Sequence, residues 1–300
     1  MSRSDGTLRL QALWLASRPS QVALIGLVYA LGVSMARTLT GVQVAWDAVA
    51  VGAAVLLPVA LGVHYANEYA DVETDRMTER TPFSGGSGAV ERTGVPPAFL
   101  ARATGAATLV GFAGAVVSRL TGHLSVPALA LLTGITVAGL AYSLPPAALV
   151  RRGVGELTNA LLGGTLLPLY GVAVVGRLSA AAVLAVVPFT LLVGCNLLAT
   201  HWPDREADAT VGKRTLAVRW SPRGLRRAYW LLAGAAVVLT VVLAGRVLPG
   251  AVVRAQSLAL VPLVWGGAVL TRRRSPFPAV AAMVVHAGAS AAAWWWLALG

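Results

Sequence analysis

The sequence predicts an all-α fold, a polytopic membrane helical bundle with nine transmembrane helices, on three observations. Hydrophobic residues make up 57% of the 300-residue chain and charged residues 12%, a balance that no water-soluble domain of this length needs to fill its core. Apolar stretches of bilayer-spanning length, roughly 17 to 25 residues, recur from one end of the chain to the other. Basic residues gather in alternate connections between those stretches, the pattern that sets membrane topology.

The stretches fall at about 20–38, 45–70, 97–118, 125–144, 154–176, 180–202, 228–248, 251–271 and 278–299. Small residues such as Gly105, Gly111 and Gly114 in the third, or Gly163 and Gly164 in the fifth, suit close helix packing where lipid supplies no hydrophobic drive. With the N-terminus in the cytoplasm, the tail and the segments near 71–102, 151–152, 204–227 and 272–274 share its side and carry 19 Lys and Arg. The other face holds five, Arg37, Arg119, Arg177, Arg246 and Arg254, so the positive-inside rule favours this orientation in a cell (inner or plasma) membrane. An odd helix count then places the C-terminus outside, with Trp294, Trp295 and Trp296 as an aromatic anchor at that interface.

Residues 1–300 read as a single transmembrane domain. The segment up to Ser17 lacks a sustained apolar core and a small-residue cleavage site, so no cleaved signal peptide is expected. The net charge of +12 does not point to nucleic acid, because the 24 basic residues are scattered and form no stripe interleaved with aromatics; the expected partner is the lipid bilayer. The one cysteine, Cys195, has apolar neighbours Val193 and Leu197 and is read as a packing residue.

Acidic residues are distributed far less evenly. Nine of the twelve lie in two stretches on the basic side: Glu68, Asp71, Glu73, Asp75, Glu79 and Glu91, then Asp204, Glu206 and Asp208. Several begin while the apolar helix is still running, a costly placement that marks functional candidates. Asn67, Asp71 and Asp75 repeat at steps of four, as do Asn196, Thr200, Asp204 and Asp208, so each set projects from one face of a helix. Like charges at that spacing repel, and a cation between them is expected. Mg²⁺ suits the place, since it binds through one or two carboxylates and fills its remaining positions with water and substrate phosphate.

The alternative is a pair of helix ends dipping into water, with the acids paired to Arg76 and Arg205; the repetition of the pattern 133 positions apart weighs against it. After the first cluster comes Arg80 and the run from Ser84 to Gly88, whose glycines either let backbone N–H groups approach an anion or simply connect helices. After the second comes Lys213, the only lysine, followed by Arg214, read either as phosphate-binding charge or as topogenic charge. Glu156 and Asn159 share one helical face and either contact or deprotonate an acceptor, or make an interhelical bond. His64 and His201 have hard oxygen neighbours and no zinc-like spacing, which disfavours a zinc site. An ion pathway is disfavoured because the only acid toward the far side is Asp47.

These residues resemble the UbiA superfamily of intramembrane prenyltransferases, whose hallmarks are an Asn-x-x-x-Asp-x-x-x-Asp signature and a second Asp-x-x-x-Asp signature. The resemblance spans nearly the whole chain, including Arg18-Pro19 before the first span and Tyr142-Ser143-Leu144-Pro145-Pro146 leading to the Arg152–Asn159 run. The runs Ser84–Gly88 and Gly212–Val218 look most like the menaquinone branch, which prenylates 1,4-dihydroxy-2-naphthoate. Glu68 stands where the family often has Asp, Thr200-His201 stand where an Asn pair is common, and Pro203 precedes Asp204, ending or kinking that helix.

The resemblance implies a prenyl diphosphate substrate, an aromatic acceptor and Mg²⁺ held by Asp71, Asp75, Asp204 and Asp208 with Asn67. It also implies that Glu156 joins the catalytic group, and that Asn67, Asn196, Arg80, Ser84, Lys213, Arg214, Asn159 and Tyr142 line the substrates. The rival activity is a UbiA-type terpene cyclase, in which the allylic cation closes on its own chain without an acceptor.

Overall fold

The structure is a computed structural model that describes residues 5–78 and 85–299. Among these residues it is helical, with one isolated backbone bridge between Ala244 and Leu248, and nine helical stretches are long and apolar enough to cross a membrane.

A short helix, α1 (Asp5–Ala16), precedes the spans and was not among the expected elements; Leu10 and Trp14 are exposed on it while Ala12 and Ala16 are buried. The first span is α2 (Pro19–Thr40), begun by a proline where a missing N–H is harmless. The second is α3 (Trp46–Ala70), followed by two short helices, α4 (Val72–Met77) and α5 (Ala89–Thr93). Then come α6 (Pro97–Leu120) and α7 (Val126–Ser143), the latter capped by Ser125, whose side chain accepts from the Ala128 N–H.

The fifth span is composite. Helix α8 (Gly155–Leu161) passes through a π-helical turn, Leu162–Leu166, into α9 (Leu167–Val175). The sixth is α10 (Ala180–Thr200), after which α11 (Arg205–Thr210) and α12 (Leu216–Arg219) form a surface connection. The seventh, α13 (Pro222–Leu243), starts before residue 228 because Ser221 caps it and Pro222 takes its first position. The eighth is broken into α14 (Gly250–Ser257) and α15 (Leu260–Val269), and α16 (Phe277–Leu299) is the ninth.

Consecutive spans pack as neighbours, and α16 closes back onto α2. Helix α2 also crosses α9 at very short range: a Cβ on Gly32 would overlap the Pro168 carbonyl, and one on Gly171 would overlap that of Tyr29, the small-residue contact that membrane helices use. The core at this crossing holds Tyr170, whose hydroxyl donates to the Gly52 carbonyl at 2.9 Å. Cys195 is buried and its thiol faces the Tyr229 carbonyl at 3.5 Å.

The tryptophan anchor needs correction. Trp294 is 1% exposed and belongs to the core, Trp295 packs edge-on to Trp46 at 5.5 Å, and only Trp296 is strongly exposed, at 67%. Three successive helical residues point in different directions around the axis, so they cannot all face lipid.

Candidate active site

Both acidic faces bend where a straight helix would have continued. Helix α3 stops at Ala70, and Asp71 adopts φ −103°, ψ 5° before α4 begins. The Asp71 N–H still donates to the Asn67 carbonyl at 3.0 Å and the Asp75 N–H to that of Asp71 at 2.8 Å, so the four-residue step survives the bend. Helix α10 stops at Thr200, before Pro203, and the step resumes where the Asp208 N–H donates to the Asp204 carbonyl at 2.8 Å.

Lys213 joins the two clusters. Its Nζ lies 2.9 Å from Asp71 Oδ1 and 3.3 Å from Asp208 Oδ1, with the lysine buried. The positive charge expected between the acids is thus supplied in part by the protein itself. On its other side Asp71 accepts from Asn67 Nδ2 at 3.1 Å, and Asn67 also reaches Ser143 Oγ at 3.2 Å. Asp75 Oδ2, Asp204 Oδ1 and Asn196 Oδ1 are buried oxygens without a hydrogen-bond partner among the described residues.

The electrostatics follow this division. Burial pushes the Asp75 carboxyl up to about 7, helped by the charges of Asp71 and Glu68. Burial likewise pushes Asp204 up to about 6, with Asp208 adding to it. Asp208 is also raised by burial, against the pull of Lys213. For Lys213 burial disfavours the ammonium, but Asp71 and Asp208 together hold it above its ordinary range.

Each cluster leans on a further buried carboxylate. Glu68 forms an ion pair with Arg18 at 3.0 Å and accepts from Ser87 Oγ at 2.5 Å and from the Ser87 and Ala89 N–H groups. It therefore ties the start of α2 and the loop before α5 to the first cluster, and Gly86 of that loop lies so close that a Cβ would overlap the Asp75 carboxylate. In the second, Glu156 Oε1 lies 3.1 Å from His201 Nδ1 and accepts from the Leu216 N–H at 2.5 Å. Glu156 thus makes a bond between α8 and the end of α10. Nothing in the spacing signalled either partnership, since Arg18 and Glu68 are 50 positions apart and Glu156 and His201 are 45.

Tyr142 lies at the end of α7, within 3.3 Å of where a Cβ on Gly155 would sit, and Asn159 is half-buried one turn along α8 from Glu156. Arg214 is exposed. Arg205 pairs with Glu206 at 2.6 Å and covers the Trp202 ring, so the paired-acid alternative holds for Glu206, while among the described residues no arginine pairs with a signature aspartate. Arg80 and Ser84 lie outside the described residues.

Among the described residues no three His, Cys, Asp or Glu side chains converge closely enough to hold a metal unaided. A Mg²⁺ ion does not require it, because water and phosphate complete its shell. Asp75 Oδ2 and Asp204 Oδ1 are hard acceptors without a partner among the described residues, and they fit such an ion.

The sequence model of the UbiA prenyltransferase family matches residues 23–298. This chain belongs to that family. As a UbiA protein it is an integral-membrane prenyltransferase. A UbiA homologue from Archaeoglobus fulgidus, solved bound to GPP and Mg²⁺, is 16% identical, with a TM-score of 0.70 over 96% of this chain and 100% of its own. A digeranylgeranylglyceryl phosphate synthase is 13% identical, with a TM-score of 0.67 over 97% and 99%. The apo UbiA homologue from Aeropyrum pernix K1 is 18% identical, with a TM-score of 0.62 over 88% and 96%. At these identities the likeness is one of fold. A sequence search of curated proteins finds no match.

Proposed function

We propose that this UbiA protein transfers an isoprenoid chain from a prenyl diphosphate to an aromatic acceptor such as 1,4-dihydroxy-2-naphthoate, releasing diphosphate, as a step of menaquinone biosynthesis. The observation that carries the reading is the paired cluster, in which Lys213 bridges Asp71 and Asp208 while Asp75 and Asp204 each keep a buried oxygen without a partner. Archaeoglobus fulgidus homologues of the same fold were solved with GPP or DMAPP together with Mg²⁺. The acceptor rests on the Ser84–Gly88 and Gly212–Val218 runs.

Asp71, Asp75, Asp204 and Asp208, with Asn67, would hold Mg²⁺ in this site. When bound, the ion supplies Lewis-acid stabilisation of the charge that develops on the departing diphosphate. Lys213 contributes a fixed positive charge between the clusters and Arg214 a second one at the rim, with Arg80 and Ser84 assigned to the same anion. Asn196 Oδ1, buried and unpartnered, orients a donor in the site. Tyr142, Asn159 and Glu156 stand on the side assigned to the acceptor. The apolar spans shelter the chain and the allylic cation from water. The chain acts as one domain, and the 19-to-5 distribution of basic residues supports a cytoplasmic N-terminus and site, with the C-terminus outside.

Purified protein given Mg²⁺, a panel of prenyl diphosphates and dihydroxynaphthoate is expected to form prenylated product, and EDTA to stop it. Cyclic hydrocarbon or alcohol formed with no acceptor present would replace this reading with the terpene cyclase.

A further inference from the structure

The contacts of Glu156 define the state of the histidine beside it. Its Oε1 accepts from the Leu216 N–H at 2.5 Å, so that oxygen is an acceptor. His201 Nδ1, 3.1 Å from the same atom, is then the donor, and in the neutral ring the lone pair is left on Nε2. Among the described residues Nε2 has no hydrogen-bond partner, and the side chain keeps 16% of its exposure. Glu156 is the less accessible of the two, 6% exposed against 16% for His201, with Oε1 shared by two donors and Oε2 buried with no partner among the described residues. His201 directly follows the last residue of α10 and stands three positions before Asp204, in the turn that leads to α11.

We propose that His201 is a catalytic base of this enzyme, taking a proton from the acceptor at Nε2 while Glu156 fixes the ring through Nδ1. The inference deepens the transferase reading and rests on it. An acceptor hydroxyl gives its proton to Nε2, and the oxygen's electron pair raises the density at the ring carbon to be alkylated. That carbon bonds to the allylic carbon as the allylic C–O bond breaks and its electron pair leaves with diphosphate. For an acceptor alkylated at a C–H position, re-aromatisation releases the ring proton and returns one to oxygen, so one proton leaves per transfer.

The groups acting on His201 are Glu156 from α8, Asp204 and Asp208 from α11, and Lys213 from the loop that follows. Burial disfavours the imidazolium and Lys213 adds to this, but Glu156 and Asp208 outweigh them and hold the pKa above the ordinary value. A base must be deprotonated, so transfer is expected to rise with pH through that raised value, giving an acid limb in the rate profile.

The test is the pH dependence of prenyl transfer at saturating Mg²⁺, which keeps Asp75 and Asp204 ionised, in wild type, His201→Gln and Glu156→Gln. His201→Gln is expected to lower the rate about 100-fold and abolish the acid limb; Glu156→Gln should move the limb to lower pH. A purely structural histidine would lower the rate equally at all pH values and leave the limb in place, which overturns the proposal. The ¹⁵N spectrum of His201 in the intact protein is a second arm that does not depend on turnover: a neutral ring protonated at Nδ1 supports the role, and one protonated at Nε2 defeats it. Absence of transfer by wild type to any acceptor would remove the transferase reading instead, and the tautomer would still judge the geometry.

Discussion

The two acidic clusters are built alike at their centre and differently at their margins. In each, one aspartate, Asp71 or Asp208, is bonded to the shared Lys213, and the other, Asp75 or Asp204, keeps a buried oxygen with no partner among the described residues. The supports differ. Glu68 behind the first cluster is held by Arg18, whose charge is permanent, whereas Glu156 behind the second is held by His201, whose charge is not. The first half is thereby a fixed scaffold and the second a titratable one, although both carry the same arrangement of two aspartates.

The comparison can be broken most decisively at the unpartnered aspartates. Asp75→Asn and Asp204→Asn are each expected to cut prenyl transfer by about 10³-fold, the scale of several kcal/mol of lost charge stabilisation. Steady-state rates at saturating Mg²⁺ check this, and a loss below tenfold in one of them would show that only one cluster carries the ion. Next in size is Glu68→Gln, which leaves Arg18 largely buried without its partner and is expected to cost on the order of 3 kcal/mol of stability. A thermal or denaturant melt reads it; an unchanged melt would remove the scaffold role of the first half.

The pH behaviour of the metal-free protein separates the clusters from their supports. Asp75 and Asp204 have folded-state values raised to about 7 and about 6, so the folded state holds those protons more tightly than the unfolded chain. Their contribution to stability is full below pH 4 or so and is lost as pH climbs through 6 and 7. Melting temperature in EDTA should therefore fall across that window, and added Mg²⁺ should restore it above pH 7 by binding the ionised pair. A flat profile would mean that the two oxygens are not the charges left uncompensated. Gly86→Ala, at φ +68° and with a Cβ that would overlap the Asp75 carboxylate, adds about 1–2 kcal/mol of backbone strain and must displace that aspartate, so steady-state rates are expected to fall toward those of Asp75→Asn while the second cluster is untouched.

Much of the architecture was legible because lipid imposes a simple rule on sequence. Spans such as α3 and α10 had to be long and apolar, and their acids stood out against that background. Bends at Asp71 and after Thr200 were harder to read, although Pro203 signalled the second. Helix α1 was missed because its apolar face is narrow and only the contact with α3 and α5 buries it. Trp294 was misplaced because three tryptophans in a row carry no record of which one faces the bundle.

By itself the sequence determined the membrane class, the spans and the two four-residue acidic repeats, since hydropathy and spacing are local properties of a chain. Only tertiary structure decided that Lys213 bridges the clusters, that Glu68 answers Arg18 and Ser87, and that Glu156 answers His201. Those are meetings of residues dozens of positions apart, and the partner of a buried charge is chosen by which helices pack together, a choice no local pattern encodes.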